Sequence, residues 1–446
     1  MNMVRDMTKG SPWRLILQFS VPTALGLIFQ QLYSMADTII VGRFLGVDAL
    51  AAVGSTSSLS FLIIGFMQGM CSGFSIPVAQ YFGAKDEEKL QRSVANGAWV
   101  SAILGALITI VTVLGTDWIL TIMQTPSNIF EGASTYIRII FLGSLATVLY
   151  NLLSSYLRAM GDSRTPLVFL VLSSVLNIVL DLLFIVSFGM GIAGAAWATV
   201  LSQLISGLLC LVFIGKKFPA LHVAKKNIPL RGEYAVQHLN VGVPMGLQFS
   251  ITAIGCAVLQ GATNTLGSDA VAAITAAGKA MCIFQCLLDA PGLTMATYCG
   301  QNLGAGEPER IHSGVKQGLI FSILLSVFSG VLVLLLGSKV GLLFIDSSES
   351  AIFAMMDEYF FWNAIFYPLL AFLLVVRNSV QGMGYTVPAM AAGVFEMVAR
   401  SVVALFFVGS YGYTAVCLAN PAAWLAADVL LIYVYVGLMK RMGVLA

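Results

Sequence analysis

Apolar residues along this chain come in runs of roughly twenty or more, and polar residues gather in short breaks between the runs. A helix needs about 20 predominantly apolar residues to cross the hydrocarbon core of a bilayer. The breaks carry the Gly, Pro and charged residues that end helices. The pattern predicts twelve spans, at roughly 15–44, 50–80, 93–116, 135–158, 166–188, 191–214, 235–265, 270–300, 314–337, 353–380, 388–409 and 413–438. Backbone polar groups inside a bilayer must be satisfied within each segment, so the spans are helices and the fold is an all-α integral membrane protein.

The breaks themselves repeat. Residues 80–97 (QYFGAKDEEKLQRSVANG) and 301–318 (QNLGAGEPERIHSGVKQG) align at an offset of 221, as do LGVDALAAVG at 45–54 and LGSDAVAAIT at 266–275. Pro22 answers to Pro244, and Met160-Gly161 to Met383-Gly384, within two residues of that offset. The chain therefore reads as two six-helix lobes in parallel repeat, an N-lobe at 1–218 and a C-lobe at 235–446. A basic linker at 219–234 joins them. Gly65, Gly69 and Gly73 recur every four residues in the second span, a spacing that lets helix backbones approach closely.

Charge orients the spans. With the N-terminus cytoplasmic, 18 of the 23 basic residues, Arg377 among them, fall in cytoplasmic segments. Only Arg43 and Lys339 fall outside, and Arg138, Lys279 and Arg400 lie within spans. Basic residues concentrate on the cytoplasmic side, so both termini are expected there, in the cell membrane. Composition narrows the function classes. The chain is 58% hydrophobic and 10% charged, with mean hydropathy +0.90, which excludes a soluble domain of its length. Its net charge of +2 says nothing on its own; the distribution of charge carries the information. The seven cysteines all sit in apolar stretches and read as small core residues. No HExxH or GxSxG occurs, and the GxGxxG at 189–194 joins two spans without a preceding strand. An enzyme, a bound cofactor and a removable signal peptide are not expected.

Intramembrane charge is costly, and each instance is a functional candidate. Asp37 lies on the first span with Tyr33 four residues before it; Asn177 and Asp181 share one face of the fifth; Thr199 lies on the sixth. Counted along each helix, these groups reach similar depths in the N-lobe. Two carboxylates, an amide and a hydroxyl offer oxygen ligands for Na⁺ or a carrier for H⁺. The C-lobe does not repeat the set, since Val258 stands at the place of Asp37. Glu396 and Arg400 have the spacing of a helical ion pair and read as structural. Lys279, Asp289 and Asp428 are either neutralising partners or cavity residues. Pro22 deletes a hydrogen bond inside the first span and invites a kink, static or hinge-like.

The segments QQLYSMADTIIVGRFLGVDALAAVG (30–54), QYFGAKDEE (80–88), YLRAMGDSRTP (156–166), NIVLDLLFIVSFGMGIAGAAWATV (177–200) and QNLGAGEPER (301–310) resemble the multidrug and toxic compound extrusion (MATE) family, nearest its DinF-like branch. The resemblance spans essentially the whole chain. It implies two six-helix lobes around a V-shaped cavity and export of amphipathic, often cationic compounds against inward Na⁺ or H⁺. It implies a first-lobe cation site at Asp37, Asn177, Asp181 and Thr199, with Tyr33 and Asn151 near the cavity. Gln31 and Lys279 are added here as cavity candidates. The NorM branch has a glutamate in the seventh span and an aspartate in the tenth. This chain has Ser250 and Thr252 in the seventh and no acid in the middle of the tenth, which argues against a NorM-type second site. The expectation is a monomeric secondary antiporter, with the bilayer and a drug-like small molecule as its partners and no nucleic acid. Its rivals are a lipid-linked oligosaccharide flippase of the same superfamily and an ion channel. The flippase needs a basic cavity for its anionic substrate, whereas the N-lobe here is acidic.

Overall fold

The computed structural model describes residues 5–345 and 349–445, which are helical nearly throughout, with no strand among them. The helices are α1 (Pro12–Leu45), α2 (Val47–Gly83), α3 (Glu87–Ile122), α4 (Ser127–Leu142), α5 (Ser144–Ala159), α6 (Arg164–Asp181), α7 (Ile192–Lys217), α8 (Gly232–Asn264), α9 (Ser268–Gly304), α10 (Pro308–Gly341), α11 (Ser350–Gly382), α12 (Thr386–Val402), α13 (Val408–Tyr411) and α14 (Tyr413–Arg441). π segments at Leu182–Ser187 and Val403–Phe407 continue α6 and α12. Among the described residues, eleven stretches are long and apolar enough to cross a membrane, and α4 with α5 makes a twelfth. The protein is a multi-pass membrane protein.

The fourth span differs from expectation. It starts at Ser127 rather than near 135, and it bends by 46° between α4 and α5. The break falls at Gly143, where a Cβ would stand 2.2 Å from Cγ2 of Val200. The α7 valine fills the space a side chain would need, and the chain turns around it. Its repeat partner, α11, runs as one helix from Ser350 to Gly382.

Elsewhere the repeat extends to backbone detail. The bounds of α2 and α9 are related by 221 at both ends, and the two π segments begin at that same offset. Left-handed residues recur in register at Gly46 and Gly267, Gly191 and Gly412, and Lys85 and Gly306. Two of the loop motifs form helix caps. Asp86 Oδ1 accepts the Lys89 N–H at 3.0 Å, which opens α3 and holds this exposed carboxyl below its usual range. Asp162 Oδ1 accepts the N–H groups of Arg164 and Thr165 at the start of α6.

Packing divides the chain into two units, one of Met1–Arg5 and Leu25–Phe249, the other of Asp6–Ala24 and Ser250–Ala446. This corrects the division at 218 and 235 at both ends. The linker belongs to the first unit: Leu221 joins the core of Tyr156, Leu157 and Phe218, Asn227 Nδ2 donates to Gln91 Oε1 (3.1 Å), and the Arg231 N–H donates to Asn96 Oδ1 (2.7 Å). Residues 6–24 belong to the second unit: the Met7 N–H donates to Gln301 Oε1 (2.8 Å), and the Ser20 and Thr294 hydroxyls meet at 2.8 Å. Helices α1 and α8 thus change unit along their length, near Pro22 and Pro244 respectively. α1 stays helical through Pro22.

The glycine stripe of α2 packs as its spacing predicts. A Cβ at Gly73 would lie 2.5 Å from Gly242 Cα, and one at Gly69 would lie 2.6 Å from the Met245 carbonyl, so α2 and the first half of α8 touch backbone to backbone. Gly73→Leu should lower the thermal unfolding temperature in detergent, overpacking costing about 1–3 kcal/mol or more where backbone must move. Gly261→Ala, with nothing within 4 Å of its new Cβ, is the matched control and should melt like the parent.

Candidate cation site

Three helices of the first unit bring the predicted residues together. α6 carries Asn177 and Asp181 on one face, both fully buried. Asp181 closes the α-helical part of α6, and the π segment starts at the next residue. A π-bulge inserts an extra residue per turn and recurs at functional sites, because it re-aims the side chains around it. The α7 residue Thr199 faces Asn177: with the Asn177 amide turned to satisfy its neighbours, its nitrogen donates to Asp181 Oδ2 at 3.0 Å and its oxygen accepts the Thr199 N–H at 3.2 Å. The Thr199 hydroxyl donates to its own helix at Ala195 O, 3.2 Å away. α1 supplies Asp37, whose carboxyl comes within hydrogen-bonding reach of Asp181, and Tyr33, whose hydroxyl reaches Thr199.

The balance of donors is the informative feature. Asp37 Oδ1 and Asp181 Oδ1 are buried and have no donor among the described residues. Two ionised carboxylates at contact distance repel, so the arrangement stands only when a proton or a cation lies between them. Tyr136 of α4 was not singled out by sequence. Its ring packs with Ile40, Val41, Ile185 and Ala195 beside the pair, and it feels the charge of both carboxyls. A tyrosine among apolar residues on a separate span carries no sequence signal.

The other candidates lie apart from this cluster. Asn151 donates to Thr147 O of its own helix at 2.8 Å. Gln31 is half-buried on α1. Lys279 is exposed in the second unit and lines a cavity of about 530 Å³ with Asn264, Ser268 and Thr275.

The second unit holds a different polar cluster. Arg377, counted above among cytoplasmic residues, is buried, its side chain 8% exposed. Its Nη2 meets Glu396 Oε1 at 2.5 Å across α11 and α12. The helical pair expected of Glu396 and Arg400 is present, at 4.0 Å between Oε2 and Nη2. Arg400 spends its Nε on Asn420 Oδ1 (3.1 Å), and the Asn420 amide in turn donates to the Tyr359 hydroxyl (3.0 Å). Arg138 is paired with Asp117 at 2.6 Å at an exposed site.

The comparisons with known proteins agree with this duplicated architecture. The MatE family pattern matches the chain twice, at residues 22–183 and 244–406. The chain is 29% identical over 444 residues to the "Probable multidrug resistance protein YoeA" of Bacillus subtilis, covering 97% of this chain and 95% of that one. It is 25% identical over 316 residues to an "FAD transporter" of Shewanella oneidensis, covering 70% and 68%. A solved structure described as the outward-facing conformation of a multidrug resistance MATE family transporter superposes with TM-score 0.92 over 99% of each chain, at 25% identity.

The buried pair generates a stability test. Removing one partner of a buried ion pair leaves the other charge uncompensated, at about 3–5 kcal/mol. Glu396→Gln should therefore melt well below the parent in detergent. Asp117→Asn, breaking a pair with side chains 42% and 58% exposed, should cost about 1 kcal/mol or less. Equal melting temperatures for the two variants would refute the buried pairing.

Proposed function

The chain belongs to the MatE family of membrane transporters, and on that premise we propose that it is a proton-coupled antiporter exporting amphipathic, cationic compounds through the cell membrane. The observation that carries the reading is the carboxyl pair, Asp37 with Asp181, each with an oxygen that no protein donor meets. A pair in contact holds one proton readily and a second when the outside is acidic. Loading it neutralises the site. Unloading it restores a negative charge that attracts a cation, so protons and a cationic substrate compete for one charge. Tyr33, one turn from Asp37 on α1, and Gln31 are the α1 side chains placed to meet that substrate.

A proton needs only the carboxyl pair, and that pair is what supports H⁺ over Na⁺ as the coupling ion. Pro22 serves as the bending point of α1, and both termini lie in the cytoplasm. The protein works as a monomer.

A second reading concerns the substrate's sign. The relative named as an FAD transporter handles an anionic molecule, and Lys279 beside Asn264, Ser268 and Thr275 would suit an anionic group. Lys279→Ala would then abolish anion export and spare that of a cationic dye.

In proteoliposomes, an inward pH gradient should drive export of a cationic dye, and an inward Na⁺ gradient at clamped pH should not. Asp37→Asn and Asp181→Asn should each remove the pH-driven export while leaving folded protein. The amides keep the shape and lose the exchangeable proton. Thr199→Ala should change the rate less than threefold. Wild-type export by Asp181→Asn would refute the site, and Na⁺-driven export would refute the choice of ion.

A further inference from the structure

The polar cluster of the second unit has one member that the ion pairs leave over. Asp428, in the middle of α14, is 3% exposed, and neither carboxyl oxygen has a hydrogen-bond partner among the described residues. α11 brings Arg377 and α12 brings Glu396, the charges of both being felt at Asp428, and Arg400 of α12 lies 4.0 Å from Glu396. α9 brings Asp289, which lies near Arg377. The π segment Val403–Phe407 carries no titratable residue, and α13 carries only Tyr411. Tyr367 of α11 packs its ring on Trp424, one turn before Asp428, and its hydroxyl is likewise unpartnered. His312 of α10 meets α14 two turns further on, at Tyr435.

Pairing then singles out Asp428. Glu396 holds Arg377 at 2.5 Å and lies 4.0 Å from Arg400, so both guanidinium groups are engaged, whereas the two Asp428 oxygens find no donor among the described residues. An unpaired buried carboxylate is strongly unfavourable, whereas a protonated one is tolerated.

We propose that Asp428 is a second proton-binding site, housed in the second unit and separate from the Asp37–Asp181 pair. Its ligand is a proton rather than Na⁺. The Arg377 guanidinium nearby opposes a metal cation, and the unpartnered carboxyl has no converging oxygens to complete a coordination shell. Arg377 is its switch partner. While Glu396 holds the guanidinium, Asp428 keeps its proton. Anything that draws Glu396 away frees Arg377 to pair with an ionised Asp428, and the proton leaves. The repeat equivalents of these residues in the first unit do not form such a cluster, so the site arose on one copy of the scaffold only.

Infrared difference spectroscopy of the whole purified protein tests this without any transport. A protonated buried carboxyl has its own carbonyl stretch, which shifts in D₂O. The spectrum of wild type minus Asp428→Asn should contain one such band, and signals from Asp37 and Asp181 cancel in that difference. The band should fade as pH rises, with a midpoint unchanged when NaCl replaces choline chloride. Glu396→Gln removes a negative charge felt at Asp428 and frees Arg377 to pair with it, so it should weaken proton binding at Asp428 at least tenfold, moving the midpoint down by a pH unit or more. No band in the difference spectrum, or a midpoint moved by Na⁺, overturns the proposal. If Asp428→Asn does not fold, the titration of Glu396→Gln against wild type decides alone, and an unshifted midpoint overturns it. Failure here leaves the Asp37–Asp181 reading untouched, because that reading stands on dye export.

Discussion

The constraint on which this structure turns is the cost of a carboxylate inside an apolar helix bundle. Water is absent there, and an ionised acid without a partner costs several kcal/mol. The chain retains four deeply placed acids regardless, Asp37, Asp181, Glu396 and Asp428, and each unit compensates them differently. In the first unit two carboxyls come from α1 and α6 to one place, with an amide and two hydroxyls around them and no basic residue among their hydrogen-bond partners. In the second, Arg377 and Arg400 supply the counter-charge. Neutrality in the first unit must be imported, which is what a coupling site requires. In the second it is mostly built in, which is what a scaffold requires, with Asp428 as the remainder.

The duplication makes this contrast readable. Helix bounds, left-handed turn residues and even the π segments recur in register. The backbone solution was therefore kept, and the side-chain chemistry diverged on it. Asp181 stands at the residue before the first π segment, and Val402 stands at the same place before the second. An identical backbone feature frames an acid in one copy and an aliphatic side chain in the other. The bend at Gly143 is the main backbone departure, and it rests on one valine of a neighbouring helix.

Much of this was legible in the sequence, for physical reasons. Long apolar runs leave a chain few options in a bilayer, so the spans and the repeat could be read directly. Intramembrane acids stand out because they are expensive, so Asp37, Asn177, Asp181 and Thr199 could be named before their geometry was known, and the structure brings them together. The misses share a cause as well. Arg377 lies five residues from the end of α11 and reads as an interfacial cation. Its burial depends on Glu396, on the next helix, and a pairing between helices leaves no local trace. The exchange of residues 6–24 and 219–249 between units is likewise a matter of which long-range contacts win. Tyr136 has no sequence signature because its role comes from position alone.

The central claim is that the Asp37–Asp181 pair exchanges a proton for substrate, and proton release on binding tests it most directly. Purified protein in weakly buffered detergent solution, near the pH where the pair is half-loaded, is mixed with a cationic dye substrate while pH is followed. The account predicts an acidification proportional to bound dye in the wild type, and weakened dye binding with no acidification in Asp37→Asn/Asp181→Asn. Equal acidification in the two proteins, or dye binding to the wild type with no proton released, would contradict it.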